Sequence, residues 1–168
     1  LVMNKFRWGG VATKGIYLDE TVMRMCYTHR REMAQLAMNL ILEGKRDKAL
    51  KVLERAEKEL PTNNVPLSFS PANGGPIMAN AYAMLGKKAK AEAIYNEIWK
   101  TLVQYARYYL NLPDRIFNKH IDRCGMFLQI MEQYLDTNMQ FNPKWANEHR
   151  PIFMRMLIAY EARVGKVK

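Results

Sequence analysis

The fold is decided by residues 37–53, which read AMNLILEGKRDKALKVL. A second stretch, residues 79–95, repeats the same residue types 42 positions later as ANAYAMLGKKAKAEAIY. In both stretches a glycine ends an apolar run, two basic residues follow it, and alanines lie on either side. Glycine readily adopts the left-handed conformation that ends a helix, and alanines let two helices approach closely. Each stretch therefore predicts a hairpin of two antiparallel helices.

Residue types at matching spacing make these hairpins similar to tetratricopeptide repeats. The matching positions are Ala37, Leu40, Gly44, Ala49, Leu53, Ala56 and Pro61, followed by Ala79, Tyr82, Gly86, Ala91 and Tyr95. Ile98 and Val103 stand where the repeat usually has Ala and Pro. The repeat's period is about 34 residues, and the excess in this chain falls in residues 61–76. The resemblance implies a right-handed helical repeat, capped by flanking helices because two units are too few to be stable alone.

Working outward from the hairpins, the sequence predicts an all-α protein of about six helices in antiparallel pairs. We expect residues 1–18 to be an irregular lead-in and residues 19–168 to be one TPR-like domain. The expected segments are helix pairs at about 19–61 and 74–110 and capping helices at about 113–137 and 142–165. Residues 61–76 hold four of the seven prolines, which predicts a loop. No segment shows the sustained alternation of a half-buried strand.

Two helices carry apolar stripes at four-three spacing, which is typical of a buried helix face. The first stripe is Val22, Cys26, His29, Met33, Leu36 and Leu40, and the second is Phe117, Ile121, Cys124, Leu128, Met131 and Leu135. Asp19 is the expected N-cap of the first helix. The second striped helix is expected to end before a loop over residues 137–142, and Pro151 is expected to bend the last helix.

Composition limits the classes of protein to which the chain can belong. The 168 residues carry a formal net charge of +10, and 49% of them are hydrophobic, as in ordinary globular domains. No apolar run approaches the length of a membrane span. The start, LVMNKFRWGG, lacks the apolar region of a signal peptide, and we expect the chain to be a piece of a larger protein. The basic residues are spread along the helices, which favours a solvated basic surface. Attraction to an anionic membrane surface is the second interpretation, and nucleic-acid binding is the last.

Thiol and imidazole groups occur in two pairs, Cys26 with His29 and His120 with Cys124. Their residue types suit a zinc site, but three of the four lie on the apolar stripes, where cysteine behaves as a small hydrophobic residue. We therefore expect no metal and no cofactor. A disulfide between Cys26 and Cys124 is an open alternative in an oxidising compartment. The sequence also lacks HExxH, Walker, G-x-S-x-G and other catalytic motifs, so we expect no enzymatic activity of this chain alone.

Residues 3–66 resemble the C-terminal region of an uncharacterised bacterial membrane-protein family, the DUF2723 type. The elements that carry the resemblance are Asn4-Lys5-Phe6, Trp8-Gly9, Tyr17-Leu18-Asp19-Glu20, Arg24, Gly44-Lys45, Ala49, Leu53, Pro61 and Val65-Pro66. The resemblance implies a larger parent with a multi-spanning, glycosyltransferase-C-like N-terminal part related to protein O-mannosyltransferases. It implies that this chain is a helical tail on the extracytoplasmic side. The transferase carboxylates belong to the membrane part, so no catalytic residue carries over.

The expected function is that of an interaction domain, which binds a protein partner or the parent's own membrane domain. In such a repeat the first helix of each pair lines a concave face. Repeat position selects Arg31, Met38, Asn73 and Asn80 as candidate partner-binding residues. The alternative is an acceptor polypeptide or glycan recognition domain that contributes directly to transfer. A nucleic-acid-binding module is a third and weaker interpretation.

Overall fold

The computed structural model describes residues 5–165, and the chain divides after Ile98 into two compact units. Residues 1–4 of the lead-in and residues 166–168 of the predicted domain lie outside the described residues. The helices are α1 (Glu20–Leu42), α2 (Arg46–Glu59), α3 (Gly75–Met84), α4 (Lys88–Leu110), α5 (Asp114–Phe117), α6 (Ile121–Phe141) and α7 (Pro143–Val164), with a 3-10 helix at Pro71–Asn73. No strand occurs between residues 5 and 165. The predicted all-α fold class is confirmed.

The turns after α1 and α3 have the same geometry. Gly44 and Gly86 both adopt a φ of 75°, in the left-handed region. The amide of the residue after each glycine donates to the carbonyl five residues earlier, at 2.8 Å in the first turn and 2.9 Å in the second. This hydrogen bond is that of a Schellman motif, which satisfies a helix-end carbonyl and reverses the chain. The two similar sequence stretches therefore form equivalent turns.

In the N-terminal unit, α1 packs along both α2 and α3. Small side chains make this close packing possible, because the repeat alanines Ala37, Ala49, Ala79 and Ala91 are all buried. The hydroxyl of Tyr95 on α4 donates to Oδ1 of Asn80 on α3, which ties the second hairpin together.

The long connection between α2 and α3 folds back onto α1. Its 3-10 helix contacts α1, and Gly74 is buried there with a φ of 79°. The same connection holds the lead-in, because Nδ2 of the Asn64 side chain donates to the carbonyls of Val11 and Thr13 at 2.8 and 2.9 Å. Val11 and Val65 share a small apolar core at this point. The loop predicted from its prolines is therefore an ordered part of the unit.

The buried face of α1 differs from the predicted stripe. Its buried residues are Cys26, Arg30, Met33, Ala34, Ala37 and Ile41. Leu36 is 37% exposed and Leu40 is half-buried, so the prediction was wrong for Leu36. The physical reason is that the small side chains of Ala34 and Ala37 are fully buried and let neighbouring helices pack there, so the buried face includes the alanines and not Leu36.

The C-terminal unit corrects two predicted boundaries. The helix expected over 113–137 is interrupted after Phe117, so a short α5 precedes α6. The guanidinium of Arg163 on α7 holds the chain that leads into α5, because it donates to the carbonyls of Leu110 and Leu112 and to the carboxylate of Asp114 at 2.6 to 2.8 Å. It also lies 4.0 Å from the centre of the buried Phe117 ring.

The loop expected over residues 137–142 is instead the last turn of α6. Asn138, a residue type that favours turns, is fully buried and donates from its side chain to the carbonyl of Tyr134 at 2.9 Å. The helix therefore ends at Phe141, and Asn142 caps α7 by accepting from the amide of Trp145. Across residues 5–165, no helix has both the length and the apolar content needed to cross a bilayer.

Candidate functional site

The four residues selected by repeat position all lie in the N-terminal unit and are all half-buried. Arg31 and Met38 are on α1, Asn73 is in the 3-10 helix, and Asn80 is on α3. These three elements contact one another. Asn80 already accepts the hydrogen bond of a tyrosine hydroxyl, and Arg31 forms a 2.7 Å ion pair with its neighbour Glu32. The structure thus brings together the elements that carry these residues and leaves Met38 and Asn73 partly accessible.

The buried arginine Arg30, also on α1, is a residue of the site that the sequence patterns did not select. It is only 1% exposed. The guanidinium donates to the carbonyls of Leu60 and Pro66, each at 3.0 Å, and to the carbonyl of Val65. Position 30 lies four residues after Cys26 and three before Met33, so helical spacing alone could have placed it on the buried face. Arg30 fastens the connection after α2 to the middle of α1.

The charge of Arg30 is poorly balanced. Its hydrogen-bond acceptors are neutral carbonyls, and three hydrogen bonds use three of the five N–H groups of a guanidinium. Burial lowers the pKa of Arg30, and Tyr27, Cys26 and Glu97 oppose this effect through space. Arginine nevertheless stays charged, because its pKa starts far above neutral pH. The N-terminal unit therefore holds a desolvated cation without a carboxylate bonded to it.

Beside Arg30 lies a cavity of about 280 Å³. Its lining consists of Arg30, Glu57, Leu60, Pro61, Thr62, Asn63, Leu67, Met78 and Ile94. The buried members are Arg30 and four apolar residues, whereas Thr62 and Asn63 are exposed. The cavity therefore combines apolar walls, one buried cation and a polar mouth, which is the usual composition of a small-molecule site.

The acidic group of the cavity, Glu57, already has a cationic partner. Its carboxylate lies 2.6 Å from Nζ of Lys90, and the same ammonium is 5.0 Å from the centre of the Tyr82 ring. Burial and the nearby Glu57 carboxylate raise the pKa of Tyr82. The ammonium of Lys90 therefore balances the charge of Glu57. The positive charge of Arg30 has no such ionic partner in the cavity lining.

The lead-in adds an aromatic cluster against α1. The rings of Phe6, Trp8 and His29 pack with centroid separations of 4.9 to 5.2 Å. Together with Glu32 and Met33 they line a small cavity of about 70 Å³. Ring packing of this kind stabilises by about 0.5–1.5 kcal/mol per pair beyond buried area, so the cluster fastens the lead-in to α1.

Aromatic side chains also pack within the C-terminal unit. Trp145 stacks on His149 at 4.1 Å and meets Trp99 edge-on at 5.4 Å. Tyr105 stacks on Phe127 with an interplanar angle of 3°. These rings join helices of the unit and leave Tyr108, which is 61% exposed, at its surface.

The two cysteine–histidine pairs belong to different units. Cys26 and Cys124 are buried free thiols, so the disulfide alternative is not formed in this structure. Burial raises the pKa of Cys26, and it raises that of Cys124 to about 11. In the described part of the chain, no three His, Cys, Asp or Glu residues group closely enough to hold a metal ion.

Comparison with known proteins adds no relative. No protein-family model, no curated protein and no solved structure matches the chain. The candidate site therefore stands on its geometry, which is that of a buried cation beside a mostly apolar cavity.

Proposed function

We propose that the chain is a non-catalytic, TPR-like interaction domain that binds a protein segment along α1 and α3. The observation that carries this proposal is the pair of equivalent glycine turns, with α1 packed against α3. In helical repeats this arrangement presents the first helices of successive pairs on one binding face. Arg31, Met38, Asn73 and Asn80 are the proposed partner-binding residues on that face.

We further propose that the domain is the tail of a membrane-bound, glycosyltransferase-like parent, on its extracytoplasmic side. The lead-in and first hairpin support this proposal through their resemblance to the DUF2723-type tail. The net charge of +10 also favours a position beside anionic lipid, since each basic residue near such a surface contributes about 1 kcal/mol. The partner is then either a separate protein or the parent's own membrane domain.

Site-specific photocrosslinking in cells tests the interaction surface. Benzoylphenylalanine in place of Met38 on α1, in the membrane-embedded parent, should crosslink to one discrete partner. Mass spectrometry identifies that partner. The matched control is the same group at Lys51, an exposed residue of α2. Equal products from both positions, or none from Met38, would contradict the proposed face.

A deletion separates this function from acceptor recognition, its alternative. If residues 1–168 only mediate assembly, their removal should abolish the crosslinked complex and leave transfer to a small acceptor intact. If they recognise the acceptor polypeptide or glycan, acceptor affinity should fall while assembly persists. The weaker nucleic-acid interpretation requires binding to random RNA that falls steeply with added salt.

A further inference from the structure

We infer that the cavity beside Arg30 binds a small organic monocarboxylate with an apolar body, and that the Arg30 guanidinium is its charge partner. This inference does not depend on the protein-binding function, because the cavity lies within the N-terminal unit and needs no partner chain. The buried charge, the lining of the cavity and its size all favour such a ligand.

The buried charge favours an anion. Removing a cation from water is costly unless an opposite charge or very good hydrogen bonding compensates, and Arg30 donates only to neutral carbonyls and lies 5.9 Å from the centre of the Tyr27 ring. The nearby carboxylate of Glu57 is held by Lys90 at 2.6 Å. The three carbonyls leave two N–H groups of the guanidinium free, and charge-assisted hydrogen bonds from these groups to a carboxylate are stronger than those to a neutral acceptor.

The walls and volume favour an apolar body of modest size. Leu60, Leu67, Met78 and Ile94 supply an apolar lining on several sides. A volume of about 280 Å³ lies at the low end of small-molecule sites, which span about 300–1,000 Å³. A nucleotide or a folded peptide is too large for that space, and an inorganic phosphate would leave the apolar walls without a partner. A short aliphatic or aromatic acid satisfies both the cation and the walls.

Methionine methyl groups offer a direct readout of binding. Met78 lines the cavity, whereas Met154 is an exposed residue of α7 in the C-terminal unit. In a chain labelled with ¹³C-methyl methionine, titration with hexanoate should shift the Met78 signal to saturation and leave Met154 unchanged. Hexanamide has the same shape without the charge, and we expect it to bind at least about tenfold more weakly, because the charge-assisted hydrogen bond is lost.

Substitutions at the mouth test the role of charge without disturbing the core. Thr62 is exposed at the cavity. Thr62→Glu should weaken hexanoate binding by about threefold to tenfold, and Thr62→Lys should strengthen it, whereas Thr62→Gln is the uncharged control. The differences should shrink in about 1 M salt, which screens charges at a solvent-exposed mouth.

Three results would overturn the proposal. The first is equal binding of hexanoate and hexanamide, which would make the site a purely apolar cavity. The second is a parallel shift of Met154, which would show nonspecific binding. The third is no Met78 shift up to about 50 mM hexanoate, which would leave Arg30 with a structural role alone. Arg30→Lys, checked for helicity by circular dichroism, should retain weaker binding if the cation is the ligand's partner.

Discussion

Gly74 lies directly against the backbone of Arg31. A Cβ atom at position 74 would come within 2.5 Å of the Arg31 amide nitrogen and within 2.7 Å of its Cα. Real Cβ atoms do not approach backbone atoms so closely, so only glycine fits at this contact. This contact holds the start of α3 against the middle of α1, at the residue next to the buried Arg30.

Gly74→Ala should destabilise the chain severely. The new Cβ meets backbone rather than a flexible side chain, and the φ of 79° adds left-handed strain. We expect a loss of about 3 kcal/mol or more in the free energy of unfolding, measured by urea denaturation. Gly44→Ala is the matched control, because Gly44 has a φ of 75° but a Cβ added there would meet no atom within 4 Å. It should cost only about 1–2 kcal/mol, and equal losses would contradict the close contact.

Arg30→Met should cost far more stability than the same change at the adjacent position. It keeps most of the side-chain volume but leaves the carbonyls of Leu60, Val65 and Pro66 without their donor. Hydrogen bonds to charged groups contribute about 1.5–3 kcal/mol each, and relief of the buried charge offsets part of that, so we expect a net loss of about 3 kcal/mol. Arg31→Met, which removes a solvent-exposed ion pair, should change stability by less than about 1 kcal/mol. Thermal and urea unfolding of the two variants provide the comparison.

The N-cap of α1 can be tested with a conservative pair of variants. Oδ1 of Asp19 accepts a hydrogen bond from the amide of Val22 at 2.9 Å. Asp19→Ala should destabilise by about 1 kcal/mol, whereas Asp19→Asn keeps the acceptor and should lose only a few tenths from the helix dipole. Urea denaturation in low salt resolves the two, and identical losses would mean that charge, not the hydrogen bond, provides the stabilisation.

The hairpins were predictable because their signals are local. Gly44 and Gly86 each end a helix through hydrogen bonds within a few residues, so the sequence around them carries the information. The break after Phe117 was not predictable, because it is a turn closed by backbone hydrogen bonds, and the apolar spacing continues across it from Phe117 to Ile121 and Cys124. The extension of α6 was missed because Asn138 is a turn-favouring type, yet here its side-chain N–H group donates to a carbonyl within the helix.

The candidate site also depends on contacts between residues that are distant in the sequence. Its apolar walls come from residues that any hydropathy pattern marks as core, such as Leu60 and Ile94. The cavity exists because the connection after α2 folds back onto α1. Arg30, on the apolar face of α1, holds that connection in place. Helical spacing places position 30 on the buried face, but arginine is rarely buried, and the carbonyls that accept its hydrogen bonds are distant in the sequence. The proposed face on α1 and α3, by contrast, was selected by repeat position alone.

The buried thiol of Cys124 should make stability fall at alkaline pH. Burial is the main cause that raises its pKa to about 11, with a smaller opposing effect from Arg163. In the unfolded chain the thiol ionises near its ordinary value of 9.0, so the unfolded state loses its proton first. The stabilisation is therefore complete below about pH 9 and is lost as the pH rises toward about 11.

Cys124→Ala removes this titration and supplies the test. A difference of about two pKa units corresponds to about 2–3 kcal/mol, so wild-type stability should fall by that much more than the variant's between about pH 8 and pH 11. Tyr82 and Tyr95, whose pKa values are also raised by burial, weaken both proteins equally and cancel in the comparison. Urea denaturation at several pH values measures the two slopes. Parallel slopes would show that the Cys124 thiol titrates alike in the folded and unfolded chains, against the burial seen at α6.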